Sequence, residues 1–474
     1  MKKFLFLLVF FLLFYRGFAQ RDNRPNIIFI LTDDQRWDAL GFAGNPIIQT
    51  PEMDALAKEG TFFENAFVTT PICAASRASI LTGLYERTHG YTFGQGEIDQ
   101  AFMDQSYPLE LRKAGYFTGF FGKFGVNFSG FSSLSDVGES YDRNGNFTDR
   151  RGYFFKTLDT DTVHLSRYTG QQAIDFIKNT PPDKPFMLSL SFSAPHAHDP
   201  AELQYFWSEE FDELYEDIEI PAPMLGDEGY FLDQPEDVRT GENRTRWRWR
   251  YDTPEKYQHS VKGYYRMISE VDAEIGKIRK TLEKQGLAKN TIIILMGDNG
   301  YFLGERQLAG KWLMYENSLR VPLIIYDPRK EGGKRIKELA LNIDVPATIL
   351  DLASAEIPKS WQGVPLHAPE LSKRKSILVE HLWQIPIIPP SEGIRTDRWK
   401  YFRYINHPEQ EELYDLREDV LEKRNLAGDP AYQEVLLKLR SQLEGMINTR
   451  LEDRKKLLTG FRSSNNTYPK SLDF

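Results

Sequence analysis

The chain has 474 residues, 41% of them hydrophobic, 13% aromatic and 27% charged, with a formal net charge of −9. That length holds one large α/β core and a smaller second unit, and the composition is that of a packed globular protein rather than a disordered one. The acidic balance argues against nucleic acid or an anionic membrane as a partner, so an anionic substrate must be met by a locally cationic site.

The chain opens MKKFLFLLVFFLLFYRGFAQ. Lys2 and Lys3 form a basic start, residues 4–15 an apolar run too short to span a bilayer comfortably, and Gly17-Phe18-Ala19 a small-residue cleavage signature. Residues 1–19 are read as a signal peptide, which predicts a secreted or periplasmic protein with no membrane span after cleavage. Export leads to an oxidising compartment, where cysteines normally pair. This chain carries one cysteine, Cys73, whose ordinary reading is an inert buried thiol.

Residues 26–31 are continuously apolar, as expected of a strand buried on both faces, and end in Thr32-Asp33-Asp34. Thr50-Pro51 opens a helix that Gly60 closes. A helix over 109–114 and a strand over 116–122 follow, then a helix over 167–179 and a strand over 186–192. A long amphipathic helix spans 257–285. The apolar strand 291–296 ends in Gly297-Asp298-Asn299-Gly300, and a further strand covers 321–326. Strands alternating with helices predict an α/β fold with a large, mostly parallel sheet sandwiched by helices, over residues 20–374. From about residue 375, short antiparallel strands over 376–380, 393–396 and 401–404 and a helix over 432–450 predict a C-terminal α+β subdomain ending near 454. A polar tail takes up 455–474.

Two apolar strands thus end in acidic pairs, Asp33-Asp34 and Asp298-Asn299. Ligands of open α/β sheets sit beyond the carboxyl ends of the strands. Adjacent carboxylates there repel unless a cation lies between them, and an all-oxygen set suits a hard cation such as calcium or magnesium. Either pair alone also reads as a helix cap or turn. Lys123, His196, His198 and Lys311 follow other strand ends, and Arg77 lies four residues after Cys73. One divalent cation, an arginine, two lysines and a histidine suit a tetrahedral oxyanion.

With "PNIIFILTDDQ", "CAASRASILTG", "AGYFTGFFGKFG", "KPFMLSLSFSAPHAHDP", "GDNGYFLGERQLAGKW", "YENSLRVPLII" and "GIRTDRWKYFRY", the chain resembles the type I, formylglycine-dependent sulfatases of the alkaline-phosphatase-like superfamily, and among them the polysaccharide-active bacterial ones. The resemblance implies that a formylglycine-generating enzyme oxidises Cys73 to formylglycine (3-oxoalanine). It implies one calcium ion, held by Asp33, Asp34, Asp298, Asn299 and the modified Cys73. Arg77, Lys123 and Lys311 then hold the sulfate, and His196 protonates the departing sugar oxygen, with His198 open as its alternative or partner. One departure stands out: where many relatives carry a histidine two residues after the motif lysine, this chain has Gly125, with Asn127 or His89 as substitutes.

Export and a sulfatase site together predict a sulfated oligo- or polysaccharide substrate, such as algal ulvan, carrageenan or fucoidan or an animal glycosaminoglycan. "NRTRWRWRY" places Arg244, Arg246, Arg248 and Arg250 at period two around Trp247 and Trp249. As a strand, this puts the arginines on one face to bind sulfate or carboxylate, with tryptophan for sugar rings; Arg244, Trp247 and Arg248 are therefore candidate substrate contacts. His381, Trp383 and Arg395 are further candidates from the C-terminal subdomain. The alternatives are a phosphodiester or phosphonate hydrolase of the same superfamily and a catalytically inactive glycan-binding homologue.

Overall fold

The computed structural model describes residues 23–464. The expected signal peptide lies outside the described residues. The central sheet has eight strands, in chain order β1 (Asn26–Thr32), β2 (Thr61–Phe63), β3 (Phe117–Gly122), β4 (Val137–Ser140), β5 (Phe186–Ser191), β6 (Thr291–Gly297), β7 (Leu323–Tyr326) and β8 (Lys334–Ile336). Across the sheet they lie β8-β2-β7-β6-β1-β5-β3-β4. All neighbours pair parallel except β7, which runs against both β6 and β2. A parallel return needs a long crossover. The link from β6 to β7 holds no helix longer than Glu316–Leu319, and the strand comes back reversed.

The apolar β1 earns its composition by facing two cores. Ile27, Phe29 and Leu31 join one hydrophobic cluster with α2 (Cys73–Thr82) and α6 (Asp344–Leu352). Ile28 and Ile30 join the other, with α1 (Pro51–Glu59), α3 (Leu165–Asn179) and α5 (Pro254–Lys284). In a pleated strand successive side chains take opposite faces, so a strand covered on both sides has no polar position. The long α5 presents Tyr264, Met267, Ile268, Val271, Ile275 and Ile278 at helical spacing to this second core.

The C-terminal sheet is antiparallel, β9 (Ser376–His381), β10 (Ser391–Thr396), β11 (Trp399–Tyr404) and β12 (His407–Asp415). β12, charged along its first half, escapes sequence reading. The final helix, α7, runs Gln433–Ser464, well beyond the expected end at 450. Residues 455–464 of the expected tail are therefore helical. Leu436, Leu439, Leu443 and Ile447 anchor it to the core, and Arg454 donates to the Thr88 carbonyl at 2.9 Å.

A buried ion network ties the C-terminal sheet to the link between β6 and β7. Lys400 of β11, fully buried, reaches Glu422 at 2.7 Å and Glu316 at 3.1 Å, and Glu316 also meets Arg395 at 3.4 Å. Breaking such a network leaves uncompensated buried charge. Lys400→Met is expected to lower unfolding free energy by about 3–5 kcal/mol in urea titration; a change below about 0.5 kcal/mol, the size of an ordinary surface substitution, would show that the network does not hold the C-terminal sheet to that link.

Candidate active site

The site follows from strand register. β1 and β6 pair in parallel with Thr32 opposite Gly297, so Asp33-Asp34 and Asp298-Asn299 emerge side by side. The Asp34 amide donates to Asp298 Oδ1 at 3.0 Å. Asp34 itself has φ +67°, the left-handed conformation that Asp tolerates better than most residues. On the other side of β1, β5 and β3 end level, Gly122 opposite Ser191, which delivers Lys123 and, a few residues past β5, His196. Helix α2 begins at Cys73, and Arg77 stands one turn along it.

These groups converge. Arg77 Nε donates to Asp298 Oδ2 at 2.8 Å, and its Nη1 donates to the Lys123 carbonyl at 2.7 Å and to Ser191 Oγ. Lys123 Nζ lies 2.5 Å from Asp33 Oδ2 and 3.3 Å from Asp142; Lys311 Nζ lies 2.5 Å from Asp34 Oδ1. His196 Nε2 faces Asp34 Oδ2 at 3.4 Å, and its Nδ1 lies against Arg143 and the Ala197 carbonyl. All of these side chains but Asp142 and Arg143 are under 10% exposed. Burial alone would raise Asp33, but Lys123, Lys311 and Arg77 overcome it and hold its carboxyl below the usual range. Asp298 is pushed up by burial and by the Asp33 charge. The two lysines are held charged against burial, Lys123 chiefly by Asp142 and Asp33, Lys311 chiefly by Asp34. Burial, then Arg143 and both lysines, holds His196 well below its ordinary value.

The oxygen atoms point to a cation. Asp33 Oδ1, Asp34 Oδ2 and Asn299 Oδ1 are buried and accept no hydrogen bond among the described residues. Ligand atoms of Asp33, Cys73 and Asp298 lie within 4.8 Å of one another, as do those of Asp33, Asp34 and His196. Unsatisfied buried acceptors from two strand ends fit a hard cation. Arg77 Nη2 is likewise an unengaged buried donor. Above them opens a cavity of about 690 Å³, lined by Cys73, Lys123, His196 and Lys311 and by Asp142, Arg143, Asp199, Arg246, Trp312 and Trp383.

The structure separates the two histidines. His198 is buried away from the cavity, its Nε2 against the Phe147 carbonyl and its ring against Gly152. His89 bonds Ser79 Oγ and the Tyr91 amide and is pushed down to about 3 by burial; it does not reach the cavity. Asn127 does, at the exposed rim.

The expected arginine strand is a helix, α4 (Glu242–Arg250). Period two on a helix splits the arginines between faces, since residues four apart share one. Arg244 stacks between Phe231 and Trp247 at 4.0 Å from each ring, Trp247 packs on the second core, and Arg248 is exposed; none of the three lines the cavity. Arg246 does. His381 is wholly buried in β9 with both ring nitrogens unpartnered among the described residues. Arg395 lies over the Phe67 ring and pairs with Glu316. Neither meets the cavity, although Trp383, two residues past His381, does. Asp142 and Arg143 carry no motif in the sequence and arrive on a loop; Asp199 and Trp312 lie in the quoted stretches that hold His196 and Lys311, and Trp383 is the one candidate of the C-terminal subdomain that lines the cavity.

Comparison with known proteins agrees with this geometry. The Sulfatase family model matches residues 25–355, and a second model, N-sulphoglucosamine sulphohydrolase, C-terminal, matches 304–449. An arylsulfatase of Clostridium perfringens is 29% identical over 92% of this chain and 98% of its own length. An N-acetylglucosamine-6-O-sulfatase of Bacteroides thetaiotaomicron is 29% identical over 90% of this chain and 86% of its own. A solved structure, described as a complex with its substrate D-glucosamine-2-N,6-O-disulfate, superposes with a TM-score of 0.75 over 91% of this chain and 98% of that one at 24% identity, which establishes a shared fold. The chain therefore belongs to the sulfatase family and is a sulfuric ester hydrolase.

Proposed function

We propose that this protein is an exported sulfatase that removes sulfate from a sulfated oligo- or polysaccharide, with Cys73 matured to formylglycine and one calcium ion at the strand ends. The carrying observation is the set of unsatisfied buried oxygens on Asp33, Asp34 and Asn299, beside Cys73 and ringed by Arg77, Lys123 and Lys311. The relative named for N-acetylglucosamine 6-O-sulfate esters supports a sugar substrate. Export rests on residues 1–19; among the described residues no helix is long and apolar enough to cross a membrane.

Asp33, Asp34, Asp298 and Asn299 would hold the cation, which together with formylglycine supplies a Lewis acid and an activated hydroxyl nucleophile at neutral pH. The rest falls to the chain's own residues. Lys123 and Lys311 enter from opposite sides of the aspartate pair and offset charge on the sulfate oxygens. Arg77, at the start of α2, holds the nucleophile's position with its free Nη2. His196 Nε2 faces the same space; a bound sulfate's negative charge offsets the cations that hold its imidazole neutral, so that it carries the proton delivered to the leaving sugar oxygen. The cavity wall above Cys73 orients the sugar.

Gly125 has a steric cause. Its φ is +72°, and a Cβ there would sit 2.6 Å from Arg77 Cδ and 3.5 Å from Lys123 Cε. The stem of Arg77 fills the space a side chain at 125 would need. Gly125→Ala is expected to displace Arg77, lowering kcat/KM for an aryl sulfate by at least about tenfold, from strain of about 1–3 kcal/mol; wild-type activity in that variant would show that Arg77 has room to spare.

Mass spectrometry of the tryptic peptide 59–77, from protein made beside a formylglycine-generating enzyme, is expected to find an aldehyde at Cys73, and Cys73→Ala to release no sulfate. An unmodified thiol in an active enzyme would exclude the formylglycine nucleophile. Chelation is expected to abolish sulfate release and lower the melting temperature, and calcium at a hundredfold excess over its Kd to restore about 2.7 kcal/mol of stability. A melting temperature indifferent to calcium would remove the metal site.

A further inference from the structure

One wall of the cavity is more ordered than sulfate binding requires. Arg246 is held three ways: Nε on Glu242 at 2.8 Å, Nη2 beside Asp199 Oδ2 at 3.1 Å, and its guanidinium over the Trp312 ring at 4.8 Å. Asp199 is shared with Arg250, which is wholly buried and also donates to Tyr301 at 2.6 Å. Asp199 and Arg246 both line the cavity. Trp312 packs with Ile72, Ala75 and Ile388, and Trp383 packs on the same group. Trp383 in turn meets the exposed Phe93 at 5.3 Å between ring centroids. A continuous wall thus runs from Phe93 through Trp383 and Trp312 to Arg246 and Asp199.

Its charge decides what it binds. Arg246 and Arg250 face Asp199 and Glu242, two cations against two anions. A wall meant for a carboxylate or a second sulfate would carry more cations than anions. A compensated Asp–Arg pair offers an acceptor and a donor side by side. That pattern matches neighbouring hydroxyls, each of which donates and accepts. Aromatic rings beside such a pair give an apolar surface for the ring's C–H face.

We propose that Asp199 and Arg246 form a specificity clamp for hydroxyls on the sugar that carries the sulfate, with Trp383 and Phe93 stacking against the saccharide. The preferred substrate is then a monosulfated neutral sugar rather than a uronic acid or a polysulfated one. This rests on the sugar-sulfatase reading above. The clamp comes from the arginine-tryptophan stretch, but from Arg246, the face of α4 opposite Arg244 and Arg248.

The test compares matured enzyme on 4-nitrophenyl sulfate, which has no sugar hydroxyl, with monosulfated neutral monosaccharides and their monodeoxy analogues. In the wild type one deoxy analogue is expected to lose about 10–100-fold in kcat/KM, the range of a hydrogen bond to a charged group. Arg246→Ala is expected to lose a similar factor on the parent sugar, far less on 4-nitrophenyl sulfate, and no longer to distinguish parent from deoxy analogue. Trp383→Ala, which leaves the Asp199–Arg250 pair intact, is expected to raise KM for the sugar. If Arg246→Ala does not fold, Arg246→Lys replaces it, since an ammonium cannot keep the forked contact. Equal losses on aryl and sugar substrates, a deoxy penalty that persists in the variant, or a preference for uronic or disulfated sugars would each overturn the clamp. A matured wild type that cleaves the aryl sulfate but no sulfated sugar would instead overturn the sugar-sulfatase reading, and the clamp with it.

Discussion

The structure is organised around burying like charges. Parallel pairing of β1 with β6 sets Asp33 and Asp34 against Asp298, all at most 1% exposed. Three carboxylates at that depth are unstable without cations. The chain therefore brings Arg77 from a helix start, Lys123 from a neighbouring strand end and Lys311 from the loop after β6. These three lower Asp33 yet leave oxygens on Asp33, Asp34 and Asn299 without partners. Those unpartnered oxygens are what a further positive charge at the strand ends would satisfy.

That demand explains features elsewhere. Arg77 must reach Asp298, the Lys123 carbonyl and Ser191 at once, so its stem crosses the place where residue 125 would put a side chain, and only glycine leaves room. The two apolar cores hold the strands in the register that makes the carboxylates meet. The C-terminal sheet, clamped through Lys400, Glu422 and Glu316, keeps the 305–320 loop in place. That loop carries Lys311 and Trp312 into the cavity.

Above this charged floor, recognition changes character. The floor gathers Arg77, Lys123 and Lys311, with Arg77 Nη2 unengaged, while the wall of Asp199, Arg246 and the aromatic rings pairs its charges within itself. The first suits an anion, the second an uncharged ring.

Much of the floor was legible in the chain because strand ends are written in local pattern. An apolar run followed by Asp33-Asp34, and another by Asp298-Asn299, marks both the strands and their carboxyl ends, and the spacing of Cys73 and Arg77 marks one helix turn. Of the wall, only Trp383 was a candidate from the sequence, and the choice among the arginines was not legible. Period two over 244–250 reads equally as a strand, and only packing of Trp247 on the second core and of Asn243 on the carbonyls of Ala309 and Lys311 makes it a helix and turns Arg246 alone toward the cavity. His196 and His198 are equivalent by spacing; the fold points one at Asp34 and the other at a backbone carbonyl. His381 and Arg395 sit on the right subdomain but face its interior. The sequence by itself determined the apolar central strands, the acidic strand ends and the cysteine-arginine turn, because each is set by neighbours a few residues away, but not the short edge strands β2, β4 and β8 or the reversal of β7. Tertiary structure decided which histidine, which arginine and which loop residues line the cavity, because those depend on contacts between segments far apart in the chain.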